Sequence, residues 1–265
     1  MEVLEKNATL TIDKSDLYEF EAKALDSLEV KVLSGVKAEI LISYNDDIKA
    51  NRTFNLSENA SLNILHINNC RNEEIKDVYN LEAYSSLKCG YYELNDGDVD
   101  LNCKVNLNGA ESFSEILSSA ITNDNKKKID IECIHNIRNT TSKMKNYEIS
   151  NENANYEVIA SGTIKKGSKQ ANSTQSTRVL TTSDNQKSSV TPLLIIDEND
   201  VVASHANTVG QMNEEHLYYL MSRGLSLSEA TGLLTLSYLL PLSEIIEDKE
   251  ISERIENTIR SKVGL

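Results

Sequence analysis

From about residue 9 to residue 203, apolar side chains recur at every second position. Val99, Leu101, Cys103, Val105 and Leu107 alternate with Asp100, Asn102, Lys104 and Asn106, and Tyr156, Val158, Ala160, Gly162 and Ile164 repeat the pattern. Weaker versions lie at Ile40, Leu41 and Ile42, at Leu87, Cys89 and Tyr91, and at Ile129, Ile131 and Cys133. Strict alternation places one set of side chains on each face of an extended chain, so these runs predict strands. Asn, Asp, Ser, Glu and Gly clusters between them supply turns. A small residue opens similar stretches at Ala38, Ala60, Ala83, Ala110 and Ala154, in steps of 22, 23, 27 and 44, the last read as two turns of 22. A period of 20 to 30 residues suggests a solenoid whose coils stack on their neighbours, and a parallel β-helix fits. On pattern alone a β-sandwich with strands at similar spacing stays open.

Near residue 210 the period changes. Asn213 can cap a helix with Glu214 and Glu215 in its first turn, an apolar stripe of Leu217, Leu220 and Met221, and a stop at Gly224. Ser226 and Glu229 form a capping box for a second helix, which is apolar nearly all round through Ala230, Leu233, Leu234, Leu236 and Leu239 and ends or kinks at Pro241. A third helix carries Ile251, Ile255, Ile259 and Val263 on one face. These helices must pack on the last β coils, on a partner, or on both. The expected division is a β core over 1–210 and a helical region over 211–265.

The net charge of −14 argues against a nucleic-acid or anionic-membrane surface. The one basic run, Lys126, Lys127 and Lys128, reads as a solvated turn. No signal-peptide pattern or membrane-length apolar run occurs. Cys70, Cys89, Cys103 and Cys133 lie far apart without metal-finger spacing, which points to a reducing cytoplasmic setting.

The segment from Ala203 to Gly224, ASHANTVGQMNEEHLYYLMSRG, resembles the C-terminal signature of the SufB/SufD family. Ser228 to Leu234, Asn139 to Ser142, Tyr156 to Ile164, Gln175 to Leu180, Ser183-Asp184 and the strand at Pro192 match further family elements in order. The resemblance covers roughly residues 135–245, and the earlier coils by architecture only. It implies a mainly β fold: a right-handed parallel β-helix followed by a small C-terminal α-helical domain.

It also implies a role, that of a non-enzymatic scaffold for a transient iron–sulfur cluster in a SUF-type assembly complex. Such scaffolds dimerise through their last coils, as a homodimer or with a SufB-like paralogue. They dock a SufC-type ABC ATPase through the C-terminal helices, and a cysteine desulfurase or sulfur carrier is involved indirectly. The docking candidates here are Leu217, Leu220, Arg223, Leu233, Leu234 and Tyr238. A flavin is reported for some family assemblies, and no residue of this chain points to one.

His205 matches the signature histidine, which is placed at the dimer interface and implicated as a cluster ligand; imidazole is a competent iron ligand. Ala203 and Ala206 stand where SufD and SufB proteins carry a Cys and a Glu, and Thr177 falls where a SufB assembly cysteine would. Cys133, two residues before His135 and on the same strand face, is the candidate replacement thiolate, with a small core residue as its simpler role. Cys70 sits in a polar turn where exposure is expected. Two other readings compete: a purely structural ATPase-binding subunit, and a β-helical polysaccharide lyase or hydrolase. The absence of Trp and the low Phe content speak against the last.

Overall fold

The computed structural model describes residues 2–265. Fifteen strands form one continuous parallel sheet, wound into a β-solenoid of about 7 turns and followed by three C-terminal helices. Even-numbered strands stack on one wall and odd-numbered strands on the other, and both walls meet at β2 (Leu17–Val32). The first half of β2 pairs β3 (Lys37–Tyr44) and its second half pairs β4 (Ile48–Leu56). The odd wall continues through β5 (Ser61–Asn68), β7 (Ser86–Glu93), β9 (Phe113–Thr122), β11 (Thr141–Ser150), β13 (Ala171–Thr181) and β15 (Val201–Gln211). The even wall continues through β6 (Asn72–Leu81), β8 (Asp98–Leu107), β10 (Lys126–His135), β12 (Asn155–Ile164) and β14 (Lys187–Ile196). β1 (Glu2–Ile12) lies along β2 and closes the first coil.

The coil is not uniform. Successive odd strands begin 24 residues apart at the first coil and 30 apart at the last. A left-handed turn residue stands just before each odd strand from β3 to β13: Gly35, Asn59, Tyr84, Glu111, Asn139 and Gln170. Its amide donates to a carbonyl of the next coil, as from Asn59 to Ala83, Tyr84 to Ala110 and Asn139 to Lys169. Ala60, Ala83 and Ala110 flank this turn and so track the repeat. Ala154 instead precedes β12 on the even wall, so the step of 44 is one and a half longer coils, not two of 22.

Side chains at alternate positions fill the interior. Ile64, Phe54, Tyr79, Leu101, Val105, Ile131 and Val158 belong to one apolar cluster that runs through the coils. The outer polar edges carry asparagine ladders, where Asn106 donates to Asn80, Asn80 to Asn55, and Asn55 to Glu29. Each rung satisfies an amide that would otherwise compete with the backbone ladder.

The three helices are α1 (Glu214–Ser222), α2 (Leu227–Leu239) and α3 (Lys249–Lys262), with a 3₁₀ turn over Leu240–Glu244 where Pro241 interrupts α2. The Asn213 cap and the Ser226–Glu229 capping box form as the sequence predicts. The helices do not stop at the last coils: α2, the 3₁₀ turn and α3 fold back over the outer face of the odd wall. There Leu236, Leu239, Leu242, Ile245, Ile251, Ile255 and Ile259 share a second apolar cluster with Leu41, Leu65, Leu117, Ile149 and Leu180. Gly90 admits this approach, because a Cβ there would sit 2.8–3.1 Å from Leu65, Ile245 and Leu242. Arg254 pairs with Glu19 and the Glu247 amide donates to Glu39, which ties α3 to the first coils. In contrast, α1 buries no residue.

Candidate functional site

The interior changes character along its length. In the early coils one buried polar network interrupts the apolar filling. Arg52 donates to both carboxylate oxygens of Asp77 at 2.6 Å, and the two residues are in-register neighbours on β4 and β6. Tyr91 donates to Asp77, while His66 lies between Tyr44 and Tyr79. Burial holds the His66 imidazole neutral, with the Arg52 charge adding to the effect. His66 is thus a structural member of this network.

A second buried group surrounds Lys127. Its ammonium donates to the carbonyls of Glu93 and Asn95 and to Asn95 Oδ1, so this lysine lies inside the solenoid and not in a solvated turn. The run misleads because β10 begins at Lys126: alternation sends Lys127 inward and its two neighbours outward. Burial brings the Lys127 amine down to about 8, against the opposing pull of Glu93 and Glu148. Burial likewise pushes the Glu148 carboxyl up to about 8, although Lys127 and the Ser150 hydroxyl favour its charged form. Cys70 stands beside this group and is buried, donating to Asn68, with its thiol pushed up to about 12, chiefly by burial.

Toward the C-terminal end the odd wall presents three inward rows, two of them mostly of small polar groups and one that turns from apolar to polar. In register these rows read Ser114, Ser142, Ser173 and Ala203; Ile116, Met144, Gln175 and His205; and Ser118, Asn146, Thr177 and Asn207. Ser142 donates to Ser173 at 3.0 Å, Ser118 to Asn146 at 2.7 Å, and Asn146 to Thr177 at 3.2 Å. On the opposite wall, His135 bonds Thr140 and Ser142, and Cys133 lies 4.0 Å from Ser114 Oγ. Cys133 and His135 do share an inward face, where burial takes the imidazole down to about 4 and the thiol up to about 12.

The column ends in an open coil. Strands β14 and β15 each pair on one edge only, and they expose Leu193, Ile195, Ile196, Val202 and Val209. His205 lies in this coil, exposed, in register with Gln175. Two acceptors near it, Gln175 Oε1 and Asn207 Oδ1, have no hydrogen-bond partner. His205 and Cys133 therefore occupy different levels of one column, the former at its mouth and the latter inside. Among the described residues no three His, Cys, Asp or Glu side chains group so as to hold a metal ion, and no helix is long and apolar enough to cross a membrane. All four cysteines are free and buried.

Of the docking candidates, Leu217, Leu220, Leu233, Leu234 and Tyr238 are half-buried and Arg223 is exposed, its guanidinium over the Tyr219 ring. Tyr238 packs against the helix–wall cluster. The largest exposed apolar groups of this region are Tyr218, Tyr219, Met221 and Leu227. The two adjacent tyrosines escape a reading that follows a single apolar stripe, because they flank that stripe on α1.

The family profile described as "SUF system FeS cluster assembly, SufBD core domain" matches residues 21–238. The iron–sulfur cluster assembly protein SufD of Bacillus subtilis is 28% identical over 171 residues, 64% of this chain and 39% of that protein. A SufBD family protein of Pyrococcus horikoshii is 32% identical over 102 residues, 36% of this chain and 23% of that protein. SufD of Escherichia coli is 31% identical over 64 residues, 24% of this chain and 15% of that protein. In each of these the match spans less than two-fifths of the relative. With a profile match across most of its coils and the first two helices, the chain belongs to the SufBD core family of iron–sulfur cluster assembly proteins.

Proposed function

We propose that this protein is a non-catalytic, cytoplasmic scaffold of SUF-type cluster assembly, working as a dimer joined at its last coil. The observation that carries the reading is the open end: two unpaired strand edges with exposed Leu193, Ile195, Ile196, Val202 and Val209 around His205. Exposed apolar edges of this kind are templates for strand pairing, which favours a second copy or a SufB-like paralogue there. Two copies so joined would bring two His205 side chains near one another, as ligands for a cluster that is cargo and not a resident group. Thiolates hold most clusters, and no cysteine of this chain lies at the mouth. Cys133 contributes only if the column opens, and otherwise the partner or the sulfur donor supplies sulfur ligands. Residues 211–265 form the proposed docking region for an ABC-type ATPase, with Tyr218, Tyr219, Met221 and Leu227 beside the sequence candidates.

A second reading, a structural ATPase-binding subunit without ligands of its own, is favoured by Thr177, which is buried and bonded to Asn146 where a thiolate would be needed. One experiment separates the two. The chain is co-purified with the SufC-type ATPase of the same source, sized by light scattering, and reconstituted anaerobically with iron and sulfide. The scaffold reading expects a complex of two scaffolds and two ATPases that loses cluster with His205→Ala. A complex whose cluster content is untouched by that change selects the structural reading, and no complex in the presence of ATP rejects both.

A further inference from the structure

Cys133 is sealed from the open coil by very little. On the even wall its in-register successor is Gly162, followed by Leu194. Glycine leaves the space above the thiol without a side chain at that level of its own wall. That space is filled from both walls: a Cβ on Gly162 would collide with Ser173 Oγ and lie 3.2 Å from both Gln175 Nε2 and Leu194 Cδ2.

Gln175 breaks its own row. Ile116 and Met144 precede it at apolar core positions, and His205 follows at the mouth. Its amide nitrogen crosses the interior and donates to the Leu193 carbonyl of β14 at 2.8 Å. Its carbonyl oxygen, on a side chain 3% exposed, has no partner. A buried amide held at one end only can leave its place at lower cost than one held at both.

We infer that Gln175 is a gate: its carboxamide, latched to Leu193 across the gap left by Gly162, closes the column above Cys133, and its swing toward His205 opens that thiol to solutes. The latch joins β13, the last strand but one of the odd wall, to β14, the last of the even wall, so a movement of β14 acts on it directly. The inference concerns access to Cys133 and stands whether or not His205 binds iron.

The purified full chain is pulsed with iodoacetamide, and alkylation of each cysteine is followed by mass spectrometry. Cys103, likewise buried, lies one coil deeper on β8 in register with Ile131 and serves as the internal clock for global opening. Gln175→Ala removes the latch and the Gln175 share of the plug, leaving Ser173 and Leu194, and is expected to raise the Cys133 rate by about tenfold or more relative to Cys103. Gln175→Met keeps the bulk without the latch and is expected to fall between wild type and Gln175→Ala. Equal acceleration of Cys133 and Cys103, or no change at Cys133, overturns the gate.

Discussion

Replacing Glu148 by Gln should stabilise the protein at neutral pH and leave it unchanged in mild acid. The side chain is fully buried on β11, its Oε1 accepts from Ser150, and its Oε2 has no partner. Burial pushes its carboxyl up to about 8 from an ordinary 4.5. A folded-state value above the unfolded one means that folding takes up a proton between the two. Stability from this group is therefore fully present below 4.5 and is lost as pH rises toward 8. At pH 7 the loss is roughly 3 kcal/mol, from about 1.4 kcal/mol per pH unit over the interval crossed. Glutamine has the shape of the neutral acid and does not titrate. The expected gain is about 2–3 kcal/mol at pH 7 and near zero at pH 4.5. Glu73 and Glu93, also raised by burial, are present in both proteins, so the difference between them isolates Glu148. Urea unfolding followed by far-ultraviolet circular dichroism at pH 4.5, 6 and 7 measures it, below the range where Lys127 begins to lose its proton. A stability difference that does not change with pH, or a variant weaker than wild type at pH 7, would refute the reasoning.

Other outcomes follow from single sites. Asp77→Ala strands the Arg52 charge in the core and should cost about 3–5 kcal/mol, much of it recovered in Arg52→Met with Asp77→Leu; both are read from urea midpoints. Gly90→Ala forces Leu65, Ile245 and Leu242 apart and should cost about 1–3 kcal/mol, with faster amide exchange in the 3₁₀ turn as its signature. Tyr84 holds φ 58°, so Tyr84→Gly should stabilise by about 1 kcal/mol in thermal unfolding, and a loss would mean that its ring packs usefully. His205→Ala touches an exposed side chain and should change stability by less than about 0.5 kcal/mol, which keeps its effect on cluster content interpretable.

The strands were legible because alternation is a local property: Leu101, Cys103 and Val105 point inward wherever their neighbours lie. The first two helices were legible through their caps, and the third through its apolar face, for the same reason. The phase of the coil was not, because it is set by left-handed turns at residues as dissimilar as Tyr84, Glu111 and Gln170, and alanines beside them made a poor marker. Nor could the sequence show that β10 starts at Lys126, a one-residue matter that decides whether Lys127 is solvated or buried. At the site, His205 came from the family signature, and the structure places it exposed in the last coil. The row joining it to Gln175, Met144 and Ile116 depends on register between strands about 30 residues apart, which no local pattern encodes.

The return of α3 to the first coils bears on how the chain is made. A stack of coils can grow one turn at a time as it leaves the ribosome, since each coil needs only the one before it. The outer apolar face at Leu41, Leu65 and Leu117 cannot be covered in that way, because its cover is encoded from Leu236 to Ile259, about 120 residues or more further along. Until those residues are made the growing solenoid therefore carries a greasy flank, and the pairing of Arg254 with Glu19 joins positions 235 residues apart as a late closing event. A truncation that spares every coil but removes α3 should leave a protein with its strands intact and its solubility lost.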